Sequence, residues 1–168
     1  MDRKFRFEVI SNLAGRYRLA TLSGNEFLFQ CGQYINLVSL SGKEIPLSIA
    51  SSPLELPKLK VIYRPEPSNP DSLLLKEMLE QQTVDASPPQ GSVRYPKDEK
   101  HLVLICKGTG ISQAASMTEH CKLISTPRKI LLIWNTDTPL ETQAEDSPET
   151  WFPLIDQIVS HHQELLNY

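Results

Sequence analysis

Cysteine is scarce in these 168 residues. It occurs three times, at Cys31, Cys106 and Cys121, and never in a Cys-x-x-Cys pair. Zinc and iron–sulfur sites need clustered ligands, and a disulfide framework needs partners at recurring spacings. The three are therefore read as separate buried thiols of a reducing compartment, with no metal site. Basic excess is lacking too. Seventeen Lys and Arg stand against 20 Asp and Glu, a net charge of -3, which leaves nothing to offset a nucleic-acid backbone. No apolar run reaches the ~20 residues of a membrane span. The opening MDRKFRFEVI is charged and alternating, where a secretory signal needs an apolar core. A cytoplasmic protein without a membrane span is expected. Glycine is sparse, with seven residues against 13 prolines. Most of those prolines fall between residues 46 and 96, which excludes long helices there and favours short strands joined by turns. Gly-x-Ser-x-Gly, His-Glu-x-x-His and a phosphate loop ending in Gly-Lys-Ser/Thr are all missing.

What is present is a change of grammar along the chain. Residues 4–10, 17–23, 34–40 and 59–64 alternate apolar and polar side chains, as half-buried strands do. Ser23-Gly24-Asn25 and Ser41-Gly42-Lys43 read as turns. Short strands at this spacing predict an antiparallel sandwich or barrel. Asn-Pro-Asp-Ser at 69–72 predicts a helix start capped by Asp71 or Ser72, with LLLKEMLEQQ carrying the apolar face. TVDASPPQGSVRYP predicts one more strand, a turn and a strand end. The charged Lys97-Asp98-Glu99-Lys100 marks a boundary between residues 1–98 and 99–168.

Beyond it, HLVLIC is a continuous apolar run, predicted to be a strand buried on both faces. Gly108-Thr109-Gly110 follows, then a helix candidate over ISQAASMTEHCKLI, then RKILLIW as a second buried strand. A polar, acidic stretch from Asn135 to Glu149 leads to a last amphipathic helix, WFPLIDQIVSHHQELLNY. This is the β-α-β-α order of a parallel sheet with crossover helices. Only two such strands are present, about half of a nucleotide-binding domain. An open parallel edge of this kind invites a homodimer or a partner chain to complete the sheet.

Two stretches have the chemistry of ligand contacts. Glycines between a buried strand and a helix let backbone approach a phosphate or a ring, though a tight β–α turn explains Gly-Thr-Gly equally well. In EIPLSIASS, residues 44–52, a serine hydroxyl within strand backbone can orient a planar heterocycle, and a solvated strand end is the plain alternative. His161 and His162 project about 100° apart on a helix, which suits a solvated face better than chelation. The acidic run at Asp137, Glu141, Glu145, Asp146 and Glu149 reads as a solvated loop. Trp134 and Trp151 read as core or contact residues.

In order, Cys31-Gly32-Gln33-Tyr34, Pro46-Leu47-Ser48-Ile49-Ala50-Ser51, Gly91-Ser92-Val93 and Cys106-Lys107-Gly108-Thr109-Gly110-Ile111-Ser112 form a series. The series resembles the ferredoxin–NADP reductase superfamily, most closely its small NAD(P)H:flavin oxidoreductases, from about residue 4 to the C-terminus. The resemblance implies a six-stranded antiparallel flavin-binding β-barrel with one helix, followed by a partial α/β, parallel-sheet NAD(P)-binding domain. It implies hydride transfer from NAD(P)H to a flavin (FAD, FMN or riboflavin), with Ser48 as the catalytic hydroxyl facing flavin N5. Pro46, Leu47, Ile49, Ala50, Ser51 and Tyr63 would surround the ring. Gly108, Thr109, Gly110 and Ile111 would admit nicotinamide. A flavin phosphate would meet the helix start near Ser72.

Three departures refine this expectation. Ile45 stands where the family has the arginine that binds the flavin phosphate, and Leu47 where it has an aromatic residue. Isoleucine cannot neutralise a phosphate, so a loosely held flavin is expected rather than a tightly held FAD. Lys107 replaces the first glycine of Gly-Gly-Thr-Gly, and lysine tolerates positive φ poorly, which predicts a compromised close approach of a ring. Asn135-Thr136-Asp137 replaces a Gly-x-Arg, and Asp137 would repel a dinucleotide phosphate. An alternative class is a catalytically degenerate reductase-like domain acting as an interaction or regulatory module. A third reading is an electron-transfer subunit completed by another chain.

Overall fold

The structure, a computed structural model, describes residues 5–13, 17–24, 27–98 and 100–135. The expected last helix with His161 and His162, the acidic run from Asp137 to Glu149, and Trp151 lie outside the described residues. Six strands build the first sheet: β1 (Phe5–Leu13), β2 (Arg18–Ser23), β3 (Tyr34–Val38), β4 (Glu44–Ser48), β5 (Lys58–Tyr63) and β6 (Thr83–Ala86). Every pairing is antiparallel, in the order β4-β3-β6-β1-β2-β5. The two outer strands then meet each other. Ile49 bridges Val61, and Ala50 N donates to Lys60 O at 2.7 Å, so the sheet curls into a nearly closed barrel. Closure removes most of the exposed strand edge.

The barrel interior is filled by alternate residues of these strands. Phe7, Leu22, Ile35, Leu37, Leu59 and Val61 are each wholly buried. Each such side chain contributes about 1.5–3 kcal/mol of transfer free energy. Phe27 meets Phe5 and Phe7 edge-on, at ring separations of 5.0 and 5.1 Å. Helix α1 (Pro70–Leu79) presses Leu75, Met78 and Leu79 onto this core. Its cap is Asn69, whose Oδ1 accepts from Asp71 N at 2.9 Å, with Pro70 in the first helical position. The expected cap at Asp71 or Ser72 is thus corrected by one turn position. Proline lacks the N–H that the first residue would leave unsatisfied, which is why Asn-Pro starts the helix here.

Two motifs distant in sequence lock together beside β3. Tyr34 and Gln90 exchange a pair of backbone hydrogen bonds, 3.1 and 2.8 Å. The Cys31-Gly32 corner lies directly against Val93.

After residue 100 the chain forms β7 (Leu102–Lys107), helix α2 (Ile111–Leu123) and β8 (Ile130–Asn135), with β8 parallel to β7 from Leu102↔Ile130 to Lys107↔Asn135. The expected strand-turn-helix-strand order holds. The expected burial of β7 on both faces does not. Its burial alternates, with Val103 60% and Ile105 75% exposed. Helix α2 packs against both strands of this sheet and against β5 of the barrel.

Helix α2 fastens the two sheets together. Ile111, Ala114 and Ala115 pack against Tyr17, Leu19, Ala50 and Ile62 of the barrel's outer face, the small alanines permitting close approach. Buried polar bonds add direction: Ser116 Oγ donates to Ser51 O at 2.7 Å, and Gln113 Nε2 donates to Gly32 O at 3.0 Å. At the far end of α2, His120 Nδ1 lies 3.0 Å from Ser52 Oγ. Burial lowers the His120 pKa from its ordinary value of 6.5. The unfolded chain therefore binds this proton more readily than the folded one. The contribution is present above pH 6.5 and is lost as pH falls toward the lower folded value. Denaturation midpoints across this range are expected to drop less on acidification in His120→Gln than in the unmodified chain.

Candidate functional site

β4, the end of β5, the start of α1 and the Gly-Thr-Gly turn converge on a cleft of about 300 Å³. Pro46, Leu47, Ser48, Tyr63, Ser72 and Thr109 all line it. These six come from four separate stretches of sequence. A second concavity of about 550 Å³, bounded by Tyr34, Asn36 and Glu44, shares Pro46, Leu47 and Ser48 in its wall. The middle of β4 is therefore open to space on either side.

Strand periodicity sets what each residue offers. Ile45 and Leu47 are 7% and 8% exposed and belong to the barrel core, so they give the cleft an apolar floor. Ser48 ends the strand half-buried, paired with Tyr34 in the ladder. Among the described residues its hydroxyl has no hydrogen-bond partner, so both its proton and its lone pairs are available to a ligand. Ser72 Oγ accepts from Glu66 N at 2.7 Å and retains its own proton to donate.

Other expected contacts lie elsewhere. Ile49 is wholly buried in the barrel core, and Ala50 packs under α2. Ser51 is buried, its Oγ accepting from Lys60 N at 3.0 Å and its carbonyl accepting from Ser116. Ile111 is 1% exposed between α2 and the barrel. These four hold the walls in place and do not face the cleft, because barrel closure and helix docking consume them. Gly108 and Gly110 flank Thr109 in a single 3₁₀ turn that runs straight into α2. Lys107 is not asked for a positive φ at that turn. It is extended at φ -129°, and the positive φ of +54° falls one residue later, on Gly108. The Gly108 carbonyl accepts from Trp134 Nε1 at 3.0 Å, which ties β8 to the turn.

Arg64, Asn69 and Ser112 are among the cleft residues that were not expected as ligand contacts. Arg64 follows β5 directly and brings a cation to the same lining as Ser72, with Glu66 Oε1 at 3.6 Å. The one carboxylate in the lining, Asp71, is paired with Lys43 Nζ. Among the described residues, no histidine, cysteine or glutamate lines the cleft. General acid–base chemistry thus has little to work with here. A flat ring, an anionic tail and a hydroxyl-sensitive edge fit the lining well.

Comparison with known proteins agrees with this architecture. No protein-family profile matches the chain. Reductase component 2 of terephthalate 1,2-dioxygenase from a Comamonas species is 24% identical over 155 residues, covering 89% of this chain and 46% of that protein. A probable flavin reductase of Aliivibrio fischeri is 26% identical over 125 residues, 70% of this chain and 52% of that one. The chain thus spans about half the length of the curated relatives it matches. Among solved structures, phthalate dioxygenase reductase superposes with a TM-score of 0.72 at 18% identity, over 89% of this chain and 50% of its own. That structure is described as a modular one for electron transfer from pyridine nucleotides to [2Fe-2S]. The fold is that of the ferredoxin–NADP reductases.

Proposed function

We propose that this chain seats a flavin against β4 and serves NAD(P)H:flavin oxidoreduction, residues 1–98 forming the flavin-binding unit and residues 99–168 the nicotinamide-binding unit. The observation that carries the reading is the convergence of Pro46, Ser48, Tyr63, Ser72, Arg64 and Thr109 on one cleft. A bound flavin supplies the hydride acceptor that no side chain of the cleft provides. The chain's own residues bind and orient. Ser48 offers its hydroxyl to a ring nitrogen. Pro46 and the apolar floor of Ile45 and Leu47 hold a flat ring and keep water from it. Thr109, at the mouth of the α2 turn, borders the space in which a nicotinamide meets that ring. The compartment is read as cytoplasmic, in keeping with free thiols at Cys31, Cys106 and Cys121.

Arg64 changes the expectation about the phosphate. Ile45 lacks a charge, but Arg64, paired with Glu66, brings a guanidinium from the end of β5 to the lining that Ser72 also shares. A phosphate between them gains charge-assisted hydrogen bonds, so FMN is expected to bind about tenfold more tightly than riboflavin. Arg64→Met is expected to bring the two affinities together while riboflavin binding stays unchanged. Flavin fluorescence titration reads both. The functional reading itself is tested by NADH or NADPH oxidation that depends on added flavin. A chain that binds no flavin at all would leave the fold as an interaction module.

A further inference from the structure

A further cavity, of about 530 Å³, lies between the barrel corner and the far end of α2 and shares no residue with the cleft at β4. Its walls come from the corner before β3 (Phe29 to Cys31), Pro53 after β4, the segment Tyr95 to Asp98, and both ends of the turn between α2 and β8. Arg128 lines it with its side chain only 3% exposed. One guanidinium nitrogen, Nη2, reaches Asp98 Oδ1 at 3.3 Å. The other, Nη1, is buried without a well-formed hydrogen bond, and so is the hydroxyl of Tyr95, whose polar neighbours are the Cys121 thiol and the Arg128 guanidinium itself. The guanidinium carbon sits 4.7 Å from the centre of the Tyr95 ring, so these two groups adjoin. His120 packs edge-on against the same ring at 5.0 Å.

Buried donors left unpaired are rare, because each one forfeits its hydrogen bonds to water. Here two of them adjoin at the wall of one cavity, and one belongs to a cation. Asp98 is half-exposed and holds only the other nitrogen of Arg128. With Lys97 also in the lining, the cavity carries two cations against one carboxylate. A guanidinium fork matches a carboxylate or a phosphate. The rest of the wall decides between them. Phe29, Pro53, Tyr95, Pro96 and Ile124 are apolar, a surface that rewards a hydrocarbon body rather than a bare inorganic ion. The size is that of a pocket for a small organic molecule.

From this geometry we propose that the cavity is a binding site for a small organic carboxylate with an apolar body, its carboxylate meeting Arg128 and Tyr95. The site joins three parts of the chain that a ligand would hold together: the barrel corner, the connecting segment and the far end of α2. Occupancy therefore fixes the far end of α2 against the barrel corner, with no demand on the flavin cleft.

The test uses the full chain without flavin and benzoate as the probe, with acetate and inorganic phosphate as comparators, read by titration calorimetry and thermal shift. Benzoate is expected to bind at one site and to raise the melting temperature, with acetate and phosphate weaker. Tyr95→Phe removes only the unpaired hydroxyl and is expected to weaken benzoate several-fold. Arg128→Lys, which breaks the fork, is expected to weaken it by about tenfold or more. Saturating FMN is expected to leave benzoate affinity unchanged. If Arg128→Lys fails to fold, the Tyr95→Phe titration decides alone. No benzoate binding, phosphate binding as tightly as benzoate, or full affinity in Tyr95→Phe overturns the proposal.

Discussion

Gly32→Ala is expected to lower the free energy of unfolding by about 3 kcal/mol, a large share of the 5–15 kcal/mol typical of a domain. Two costs combine at this position. Gly32 has φ +92°, where an L side chain is strained by about 1–2 kcal/mol. A Cβ there would also stand 2.7 Å from Val93 Cγ1 and 2.9 Å from the Val93 carbonyl oxygen. The valine methyl can rotate away, but the carbonyl belongs to backbone pinned nearby by the Tyr34–Gln90 hydrogen bonds. Relief requires the corner or the Val93 segment to shift, and Gln113 holds the corner through the Gly32 carbonyl. Gly42→Ala separates the two costs. Gly42 has a similar φ, +83°, yet a Cβ there meets nothing within 4 Å. It is expected to lose about 1 kcal/mol, from backbone strain alone. Urea denaturation of both variants checks the difference. Equal losses would show that the Val93 contact yields without cost.

The same corner shows how far the sequence could be read. Cys31-Gly32 and Gly91-Ser92-Val93 stand out as motifs, and alternation correctly locates the strands around them. That the two motifs touch follows only from β3 pairing with Gln90, a contact across 56 residues that no local pattern announces. Arg64 escaped for a similar reason. As a charged residue ending an alternating run before Pro65, it looks like a solvated strand end. Barrel closure through Ile49 and Val61 is what carries β5, and Arg64 with it, alongside β4 and the start of α1.

Strand β7 fails in the opposite way, because composition was read as burial. HLVLIC is apolar throughout, but Val103 and Ile105 face outward while Leu104 and Cys106 pack beneath α2. A run without polar residues states that both faces tolerate burial. It does not state that both are covered. The β-α-β order, by contrast, was legible because it rests on several long signals agreeing. Ser48 and Thr109, named from motif order, and Ser72, named from the helix start, all line one cleft, whereas Ile49, Ala50, Ser51 and Ile111 share those motifs yet pack inside.

Ser48→Ala is expected to reduce flavin-dependent NAD(P)H oxidation by about a hundredfold, the scale for losing one oriented donor at a reacting centre. Its hydroxyl has no partner among the described residues, and it sits where two concavities share a wall. A structural role for the hydroxyl predicts lost stability, since a bonded group would leave its partner unsatisfied. A ligand-orienting role predicts an unchanged melting temperature instead, because nothing in the protein depends on it. The loss is expected in kcat rather than in KM, since ring placement governs the reacting geometry more than the binding of nicotinamide. Ser48→Thr, which keeps the hydroxyl on a strand that accepts β-branching, is expected to recover most of the rate. Steady-state kinetics at saturating FMN, beside melting curves for both variants, measures all of this. An alanine variant that kept full kcat would remove Ser48 from the reaction and leave Pro46, Tyr63 and Arg64 as a seat without an orienting hydroxyl.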